Sequence, residues 1–337
     1  MYAQAQWWRP KWRALILEGG GDKGAYQVGG IRGLVENLSP SEVQYDVVSG
    51  ISIGAINAVA MSLFKQGKED EASKWLVEFW EKLNADAIYA NWPGYIVEGA
   101  FWRSGLYNNT KFVDFLHENV PMRTIYRKVS VGATNAKNGA FTRFNETLGA
   151  EDLMFKAVAA SSAFPGFFQS VNFKNNTYID GGVLINLDIA GAIERWKEKV
   201  YRESDIIIDI VMCSGDILTD VDVEKFNAIQ MMRRYFQISD YQKTMSWITH
   251  GKANFPEVNF RYIVHPIGPI SKEWLPMGFY PQEIRKMIEH GRQDARKSVQ
   301  MGEGKMFNHL VNFWNKVSEN SEDNQTFDKY LSSVLSE

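Results

Sequence analysis

The feature that most constrains the fold is an alternation of short apolar strands with helices. A first strand, Ala14–Leu17, leads to a helix over about 25–38, and a second strand, Tyr45–Ser49, leads to an apolar helix that begins near Ala55. Further along, Ile206–Cys213 forms a continuous apolar strand of the kind that is buried on both faces. Strands that alternate with helices form mostly parallel sheets. We therefore predict an α/β fold, with a mostly parallel central sheet covered by helices on both faces.

The remaining pattern favours one large domain. The sequence contains no repeat, no low-complexity segment and no Pro/Ser-rich linker. A single domain over 10–300 is therefore predicted, followed by a peripheral helix and polar tail over 303–337. The aromatic segment 84–109 is predicted to be loop-like, as a lid or an irregular cap on the core. The other predicted elements are helices at 69–83, 151–161, 190–200, 223–251 and 281–300, strands at 129–133, 139–145 and 258–265, and a hairpin over 169–180.

Composition excludes several classes of protein. The chain has 337 residues and a net charge of −3, which gives no general basic excess for binding nucleic acid. Its single cysteine, Cys213, excludes an internal disulfide and a cysteine-rich zinc site. The N-terminus lacks the apolar core of a signal peptide, and no apolar run is long enough to span a membrane. We expect a cytoplasmic or membrane-peripheral protein. Trp7, Trp8 and Trp12 would then lie at a lipid interface or in an arm packed on the body.

The stretch VVSGISIGAIN places Ser52 between Gly50 and Gly54, after an apolar strand and before a helix of small residues. A serine held on a sharp strand-to-helix turn needs glycines on either side, because neighbouring backbone passes close. Two interpretations remain open from this stretch alone. Ser52 is either an exposed nucleophile or a structural turn serine.

A glycine-rich segment, Gly19-Gly20-Gly21-Asp22-Lys23-Gly24, follows the first strand. It fits the dinucleotide-binding pattern, but that interpretation requires an acidic residue at the end of the next strand, where the Ser52 turn stands instead. The alternative is that N–H groups of Gly19, Gly20 and Gly21 point toward one site and stabilise an oxyanion, with Lys23 adding positive charge. A tight structural connection is the third interpretation.

A nucleophilic serine needs a group that accepts its proton. Of five histidines, only His265 follows a predicted strand; His117, His250, His290 and His309 lie in helical patterns. Asp180 offers another solution, since it ends the predicted hairpin and is followed by Gly181 and Gly182. A partly desolvated carboxylate can accept a serine proton directly. Asp-Gly is also a common turn sequence.

Taken together, these motifs resemble the patatin-like phospholipases. The resemblance rests on the glycine segment 19–24, on Gly50-Ile51-Ser52-Ile53-Gly54, and on Asp180-Gly181-Gly182, in that order. A fourth segment, Ala160-Ser161-Ser162-Ala163-Phe164-Pro165, looks like the family's A-S-x-A-x-P. It covers about 13–190, and more loosely Gly278-Phe279 and the helix that follows.

The resemblance implies a patatin-like three-layer sandwich and a Ser–Asp dyad, with Ser52 as nucleophile and Asp180 as general base. It implies an oxyanion hole in the segment Gly19, Gly20, Gly21 and Lys23, with Gly24, Gly50, Gly54, Gly181 and Gly182 as motif positions. One departure is Lys23, where the family usually has arginine; lysine keeps the charge but not the planar fork.

The implied activity is hydrolysis of fatty acyl esters, of the phospholipase A or lysophospholipase type, without metal or organic cofactor. The implied partners are a phospholipid or another acyl-ester lipid and, through the aromatic segment and the N-terminal tryptophans, a membrane surface. The alternative is a catalytically silent or partner-activated lipid-binding protein. Neither the oligomeric state nor the lipid headgroup follows from the sequence.

Overall fold

The computed structural model describes residues 11–120, 124–149, 151–196, 202–215, 218, 221–266, 270 and 278–319. The strands are β1 (Trp12–Leu17), β2 (Val47–Ile51), β3 (Gly105–Tyr107), β4 (Lys128–Asn135), β5 (Phe141–Asn145), β6 (Gly166–Phe168), β7 (Val171–Phe173), β8 (Asn176–Asp180), β9 (Ile206–Val211) and β10 (Asn259–Val264). The helices are α1 (Gly24–Asn37), α2 (Ile53–Ser62), α3 (Glu69–Lys82), α4 (Ala85–Ile88), α5 (Tyr95–Trp102), α6 (Thr110–Asn119), α7 (Glu151–Ser161), α8 (Ile189–Glu194), α9 (Ala228–Asn254), α10 (Pro281–Met301) and α11 (Lys305–Glu319).

The main sheet has the order β10-β9-β1-β2-β4-β8-β7, with β5 also paired to β4. The five strands from β10 to β4 are parallel to one another, whereas β5, β8 and β7 form antiparallel pairs at one side. The predicted mostly parallel α/β sheet is therefore confirmed. Its carboxyl edge, where ligands bind in folds of this type, lies at the ends of β1, β2 and β9.

The pairing of β4 places two strand ends against each other. Gly132 pairs with Ile51 of β2 and with Arg143 of β5, whereas the next residue, Ala133, pairs with Asp180 of β8 and with Thr142 of β5. Because β5 covers one edge of β4 at both positions, β2 and β8 share the other edge. They approach each other end to end, since β8 runs antiparallel to β4 and β2 runs parallel to it.

Two hydrophobic cores cover the two faces of the sheet. Leu15 and Leu17 of β1 point into the core formed with α1, α2, α3, α6, α7 and α10. Ala14 and Ile16, the alternate residues of the same strand, point into the core formed with α8, α9 and α11. This alternation follows from the two-residue period of a strand. The predicted three-layer arrangement is confirmed.

One charge interrupts the apolar strand β9. Asp209 is fully buried and accepts two hydrogen bonds from the guanidinium of Arg261, at 3.0 and 2.5 Å. The hydroxyl of Tyr45 donates a third at 2.8 Å. Arg261 lies where the pairing of β10 with β9 shifts register. The pair is thus satisfied inside the sheet, as a buried charge requires.

The prediction that 84–109 is loop-like is wrong. The segment holds α4, α5 and β3, and Asn84 begins α4 by accepting a hydrogen bond from the N–H of Ala87 at 3.1 Å. The many aromatic residues of the segment give no clear helical period, so its short helices were not predicted from the sequence. No bounds were predicted for helix α6, although the sequence placed His117 in a helical pattern.

The C-terminal part of the chain is described as far as 319. Helix α11 buries Phe307 and Leu310 against the sheet, while 320–337 and the tryptophans Trp7 and Trp8 lie outside the described residues. The division into a domain over 10–300 and a tail over 303–337 stays a prediction. No described helix is both long enough and apolar enough to cross a membrane.

Candidate active site

Ser52 stands on a strained turn between β2 and α2. Its backbone has φ 54° and ψ −125°, a region that residues other than glycine rarely adopt. A Cβ on Gly50 would collide with the carbonyl oxygen of Gly54, and one on Gly54 would lie 2.6 Å from that of Leu17. Both glycines are therefore required by close backbone approach. The Ser52 side chain forms no cap hydrogen bond to α2, so its hydroxyl is directed elsewhere.

The segment from Ser161 to Ala163 holds the two predicted catalytic residues at their backbones. The N–H of Ser52 donates to Oγ of Ser161 at 2.9 Å, and that hydroxyl donates to the carbonyl of Gly132 at 2.5 Å. Two residues later, the carbonyl of Ala163 accepts a hydrogen bond from the N–H of Asp180 at 3.0 Å. The sequence resemblance singled out this segment without giving it a role. The structure shows that it links Ser52 to Asp180.

Asp180 is buried, with 3% of its surface exposed, and the hydroxyl of Ser52 hydrogen-bonds to its carboxylate. Oδ1 also accepts the N–H of Gly182 at 2.7 Å. Burial raises the pKa of Asp180 to about 7, and the two hydrogen bonds oppose that rise. Asp240 raises the pKa further, while Lys243, which donates to the carbonyl of Gly182 at 2.8 Å, lowers it. The structure thus brings together the two residues that the sequence predicted as a dyad.

The glycine segment lies beside Ser52. A Cβ on Gly19 would be 3.1 Å from Cβ of Ser52. The N–H of Gly19 donates to the carbonyl of Asn186 at 3.1 Å, and that of Lys23 to the carbonyl of Gly20 at 3.3 Å. Gly21 has φ 61°. Among the described residues no protein acceptor is found for the N–H groups of Gly20 and Gly21, so of the four predicted positions these two stay predicted donors to an oxyanion.

The other motif glycines allow close packing around the site. A Cβ on Gly24 would lie 2.5 Å from Cγ1 of Ile53, and one on Gly181 would collide with the carbonyl oxygen of Gly132. A Cβ on Gly182 would lie 2.7 Å from Oδ1 of Asn186. A larger residue at any of the three would separate the elements that carry Ser52, Asp180 and the glycine segment.

Glu18 is a buried carboxylate that the sequence did not single out. It accepts the N–H groups of Cys213 and Ser214 at 2.6 and 2.8 Å, the hydroxyl of Ser214 at 2.6 Å and the side-chain amide of Asn186 at 3.2 Å. The hydroxyl of Thr244 on α9 also donates to it. Burial raises the pKa of Glu18, and these hydrogen bonds oppose the rise. The residue fixes the start of the glycine segment to three other parts of the chain.

Asn186 connects the glycine segment 19–24 with the turn that follows Asp180. Its side-chain amide donates to the carboxylate of Glu18 and, at 3.3 Å, to the carbonyl of Gly19. Its Oδ1 lies against Gly19 on one side and Gly182 on the other. The only sequence signal for Asn186 is its position six residues after Asp180.

His265 lies elsewhere. It follows β10, which is separated from β2 by β9 and β1, and three strand spacings amount to about 14 Å. The ring is buried, with Nδ1 3.3 Å from the carbonyl of Pro266 and Nε2 3.0 Å from the sulfur of Met306. The structure does not bring this histidine to Ser52. The other four histidines lie on α6, α9, α10 and α11, as their helical patterns predicted.

The family model for patatin-like phospholipase matches residues 15–193, more than half of the chain. The match contains Ser52, Asp180 and the glycine segment. The chain belongs to the patatin-like phospholipase family.

Named relatives are distant. The chain is 26% identical over 211 residues to calcium-independent phospholipase A2-gamma of Homo sapiens, which covers 55% of this chain and 26% of that protein. It is 25% identical over 216 residues to the probable lipid hydrolase 463L of Invertebrate iridescent virus 6, covering 60% of this chain and 71% of that one. The chain therefore spans about a quarter of the length of the phospholipase A2-gamma relatives it matches.

Two solved structures are similar at low identity. VipD from Legionella pneumophila has a TM-score of 0.41 and 15% identity, over 87% of this chain and 68% of that one. Human GIVD cytosolic phospholipase A2, in complex with methyl gamma-linolenyl fluorophosphonate, has a TM-score of 0.39 and 11% identity, over 90% of this chain and 59% of that one.

Proposed function

We propose that the chain is a lipid acyl hydrolase of the phospholipase A or lysophospholipase type, acting through a Ser52–Asp180 dyad. The observation that carries the proposal is the hydrogen bond between the Ser52 hydroxyl and a buried Asp180 whose pKa is raised to about 7. A base of that pKa is ionised in part at neutral pH and still accepts a proton readily. Family membership supports lipid esters as the substrate class.

In the proposed mechanism, ionised Asp180 accepts the Ser52 proton as Oγ forms a bond to the ester carbonyl carbon. The N–H groups of Gly20 and Gly21 stabilise the oxyanion; each such donor contributes roughly a hundredfold or more in rate. The ester C–O bond then breaks, and Asp180 protonates the leaving alcohol. Water, which gives its proton to Asp180, attacks the acyl-enzyme, and the fatty acid leaves as Ser52 recovers its proton.

Helix α5 supports the lipid part of the proposal. Phe101 and Trp102 are 76% and 73% exposed, and Tyr95 is 67% exposed. Large apolar side chains grouped on one short helix are typical of a surface that contacts lipid. Trp92, by contrast, is buried, and its indole N–H donates to the carbonyl of Gly105 at 3.1 Å. We therefore assign lipid contact within 84–109 to α5 and not to Trp92.

The decisive experiment compares hydrolysis of a p-nitrophenyl acyl ester and of a phospholipid by the wild type and four variants. Ser52→Ala and Asp180→Asn should each lose roughly a thousandfold or more in kcat/KM, since each removes a group that acts in the reaction. His265→Ala should keep its activity. Ser49→Ala is the matched control, because it removes a buried hydroxyl of β2 whose one hydrogen bond among the described residues is to the carbonyl of Asp188, at 3.4 Å.

A folded His265→Ala without activity would replace the dyad by a histidine-dependent site. A wild type that cleaves neither substrate would favour the second candidate, a catalytically silent or partner-activated lipid-binding protein. The exposed apolar side chains of α5 are consistent with that candidate as well, because both candidates include contact with lipid.

A further inference from the structure

Helix α9 has two unlike halves. From Tyr241 onward it buries a regular stripe, with Tyr241, Met245 and Ile248 in the core on one face of the sheet. Between residues 228 and 240, none of the side chains that the structure describes is buried. This first half is about 20 Å long at 1.5 Å per residue. The second half of α9 anchors the helix in the core, and the first half extends beyond it.

The exposed half is amphipathic. Met231, Tyr235 and Ile238 follow each other at i, i+4 and i+7, so they lie on one side of the helix. They are 45%, 62% and 39% exposed. Solvated helices of soluble proteins normally present polar side chains at such positions. The stripe therefore requires an apolar partner.

The charge of this half is net positive. Residues 228–240 include Arg233 and Arg234 and one acidic residue, Asp240, so this half carries a net positive charge although the whole chain has a net charge of −3. A helix with an apolar side and arginines on the remaining surface is suited to lie in the headgroup region of a membrane. Its charge favours anionic headgroups.

The exposed half lies next to the candidate active site. The ring of Phe236 is 5.5 Å from that of Phe164, which follows the segment that holds Ser52 and Asp180. Further along the helix, Lys243 donates to the carbonyl of Gly182. A lipid surface that contacts Met231 and Tyr235 would therefore be close to the Ser52–Asp180 pair.

We infer that the first half of α9, residues 228–240, docks this protein on an anionic lipid surface beside its active site. The inference rests on the proposed function for its biological meaning, but binding can be measured without any reaction. The apolar stripe inserts among the acyl chains, and Arg233 and Arg234 pair with anionic headgroups.

The test is co-sedimentation of the full chain with phosphatidylcholine vesicles, with and without phosphatidylglycerol, in the Ser52→Ala background so that the vesicles stay intact. Arg233→Gln/Arg234→Gln should weaken binding to the anionic vesicles about twenty-fivefold, since each basic residue at such a surface contributes about fivefold. Met231→Ser/Tyr235→Ser/Ile238→Ser should weaken binding to both kinds of vesicle.

The matched controls lie on α10, which packs on the opposite face of the sheet from α9. Arg285→Gln/Arg296→Gln removes two exposed arginines, and Met301→Ser removes a methionine that is 48% exposed. Both should bind vesicles like the parent protein. With Ser52 restored, the α9 variants should hydrolyse a monomeric p-nitrophenyl ester at the wild-type rate.

Equal binding of the parent to neutral and anionic vesicles, or full binding by either α9 variant, would overturn the inference. A dimer that the triple α9 variant abolishes, without vesicle binding, would assign the stripe to a second copy of the chain and would also overturn it. Vesicle binding by a chain that hydrolyses no ester would support this surface while removing the proposed catalysis.

Discussion

At the scale of single residues, the proposed chemistry depends on the ionisation of Asp180. Because the carboxylate must be ionised to accept a proton, kcat/KM on a soluble ester should rise with pH and level off above a midpoint near 7. Asp240→Asn should move this midpoint to lower pH, since Asp240 raises the pKa of Asp180, and Lys243→Gln should move it to higher pH. A profile that stays flat from pH 5 to 8 would exclude Asp180 as the base.

The same shift predicts how stability depends on pH. The pKa of Asp180 is raised in the folded state above its ordinary value. The contribution of the protonated side chain to the free energy of unfolding is therefore complete below that ordinary value and is lost as the pH rises through about 7. Asp180→Asn removes this loss. Urea unfolding at pH 8 should therefore show the variant to be more stable than the wild type, by at most about 4 kcal/mol. Near pH 4 the two should be alike; a variant that is less stable at pH 8 would contradict the shift.

Glu18 gives a prediction for a positioning residue. Glu18 accepts all five of its hydrogen bonds. Glu18→Gln replaces one acceptor oxygen by an NH2 group, which then faces the N–H and O–H donors around it. We expect a loss of roughly 2 kcal/mol in the free energy of unfolding and a fall in kcat with little change in KM. Gln169→Ala, at a half-buried position, is the control. Unchanged kcat in a folded Glu18→Gln would exclude this role.

At the scale of elements, the turn between β2 and α2 is specified by close packing. Gly54→Ala would bring Cβ within 2.7 Å of the backbone oxygens of both Leu17 and Glu18, so β1 and α2 must move apart. We expect a loss of about 3 kcal/mol in stability and of most of the esterase activity.

A glycine in open space separates this clash from backbone strain. Gly139 lies on a surface turn with φ 73°, and a Cβ added there would have no neighbouring atom within 4 Å. Gly139→Ala should lose about 1 kcal/mol, the ordinary cost of a left-handed alanine, and keep full activity. Equal effects of the two substitutions in thermal unfolding and in esterase assays would show that packing at Gly54 is unimportant.

At the scale of the whole molecule, the packing of α11 bears on the extent of the domain. The sequence predicts a boundary near residue 300, yet Leu310 of α11 is fully buried and the ring of Phe307 stacks on that of Phe260 at 4.7 Å. Leu310→Ala should lower the free energy of unfolding by about 2 to 5 kcal/mol in the full chain. Asn308→Ala, on the exposed side of the same helix, should change it little. A Leu310→Ala loss below about 0.5 kcal/mol would support a peripheral helix.

The sequence determined the parts of this protein that depend on local patterns. Apolar strands separated by helices predicted the parallel sheet, because the two-residue and 3.6-residue periods are set by neighbouring residues. The glycines around Ser52 predicted the sharp turn, because the room that such a turn needs is also set by neighbouring residues. The prediction for 84–109 was wrong because its short helices lack a clear period, and for α6 only the helical pattern around His117 was predicted, without the bounds of the helix.

Only the tertiary structure decided which distant residues meet. Ser52 and Asp180 are 128 residues apart in the numbering, and they meet because β2 and β8 share one edge of β4 and run toward each other. The hydrogen bonds of Glu18 and the position of Asn186 likewise join residues from four parts of the chain. His265 was excluded from Ser52 by strand order. Strand order and burial come from the packing of the whole chain, and no local period encodes them.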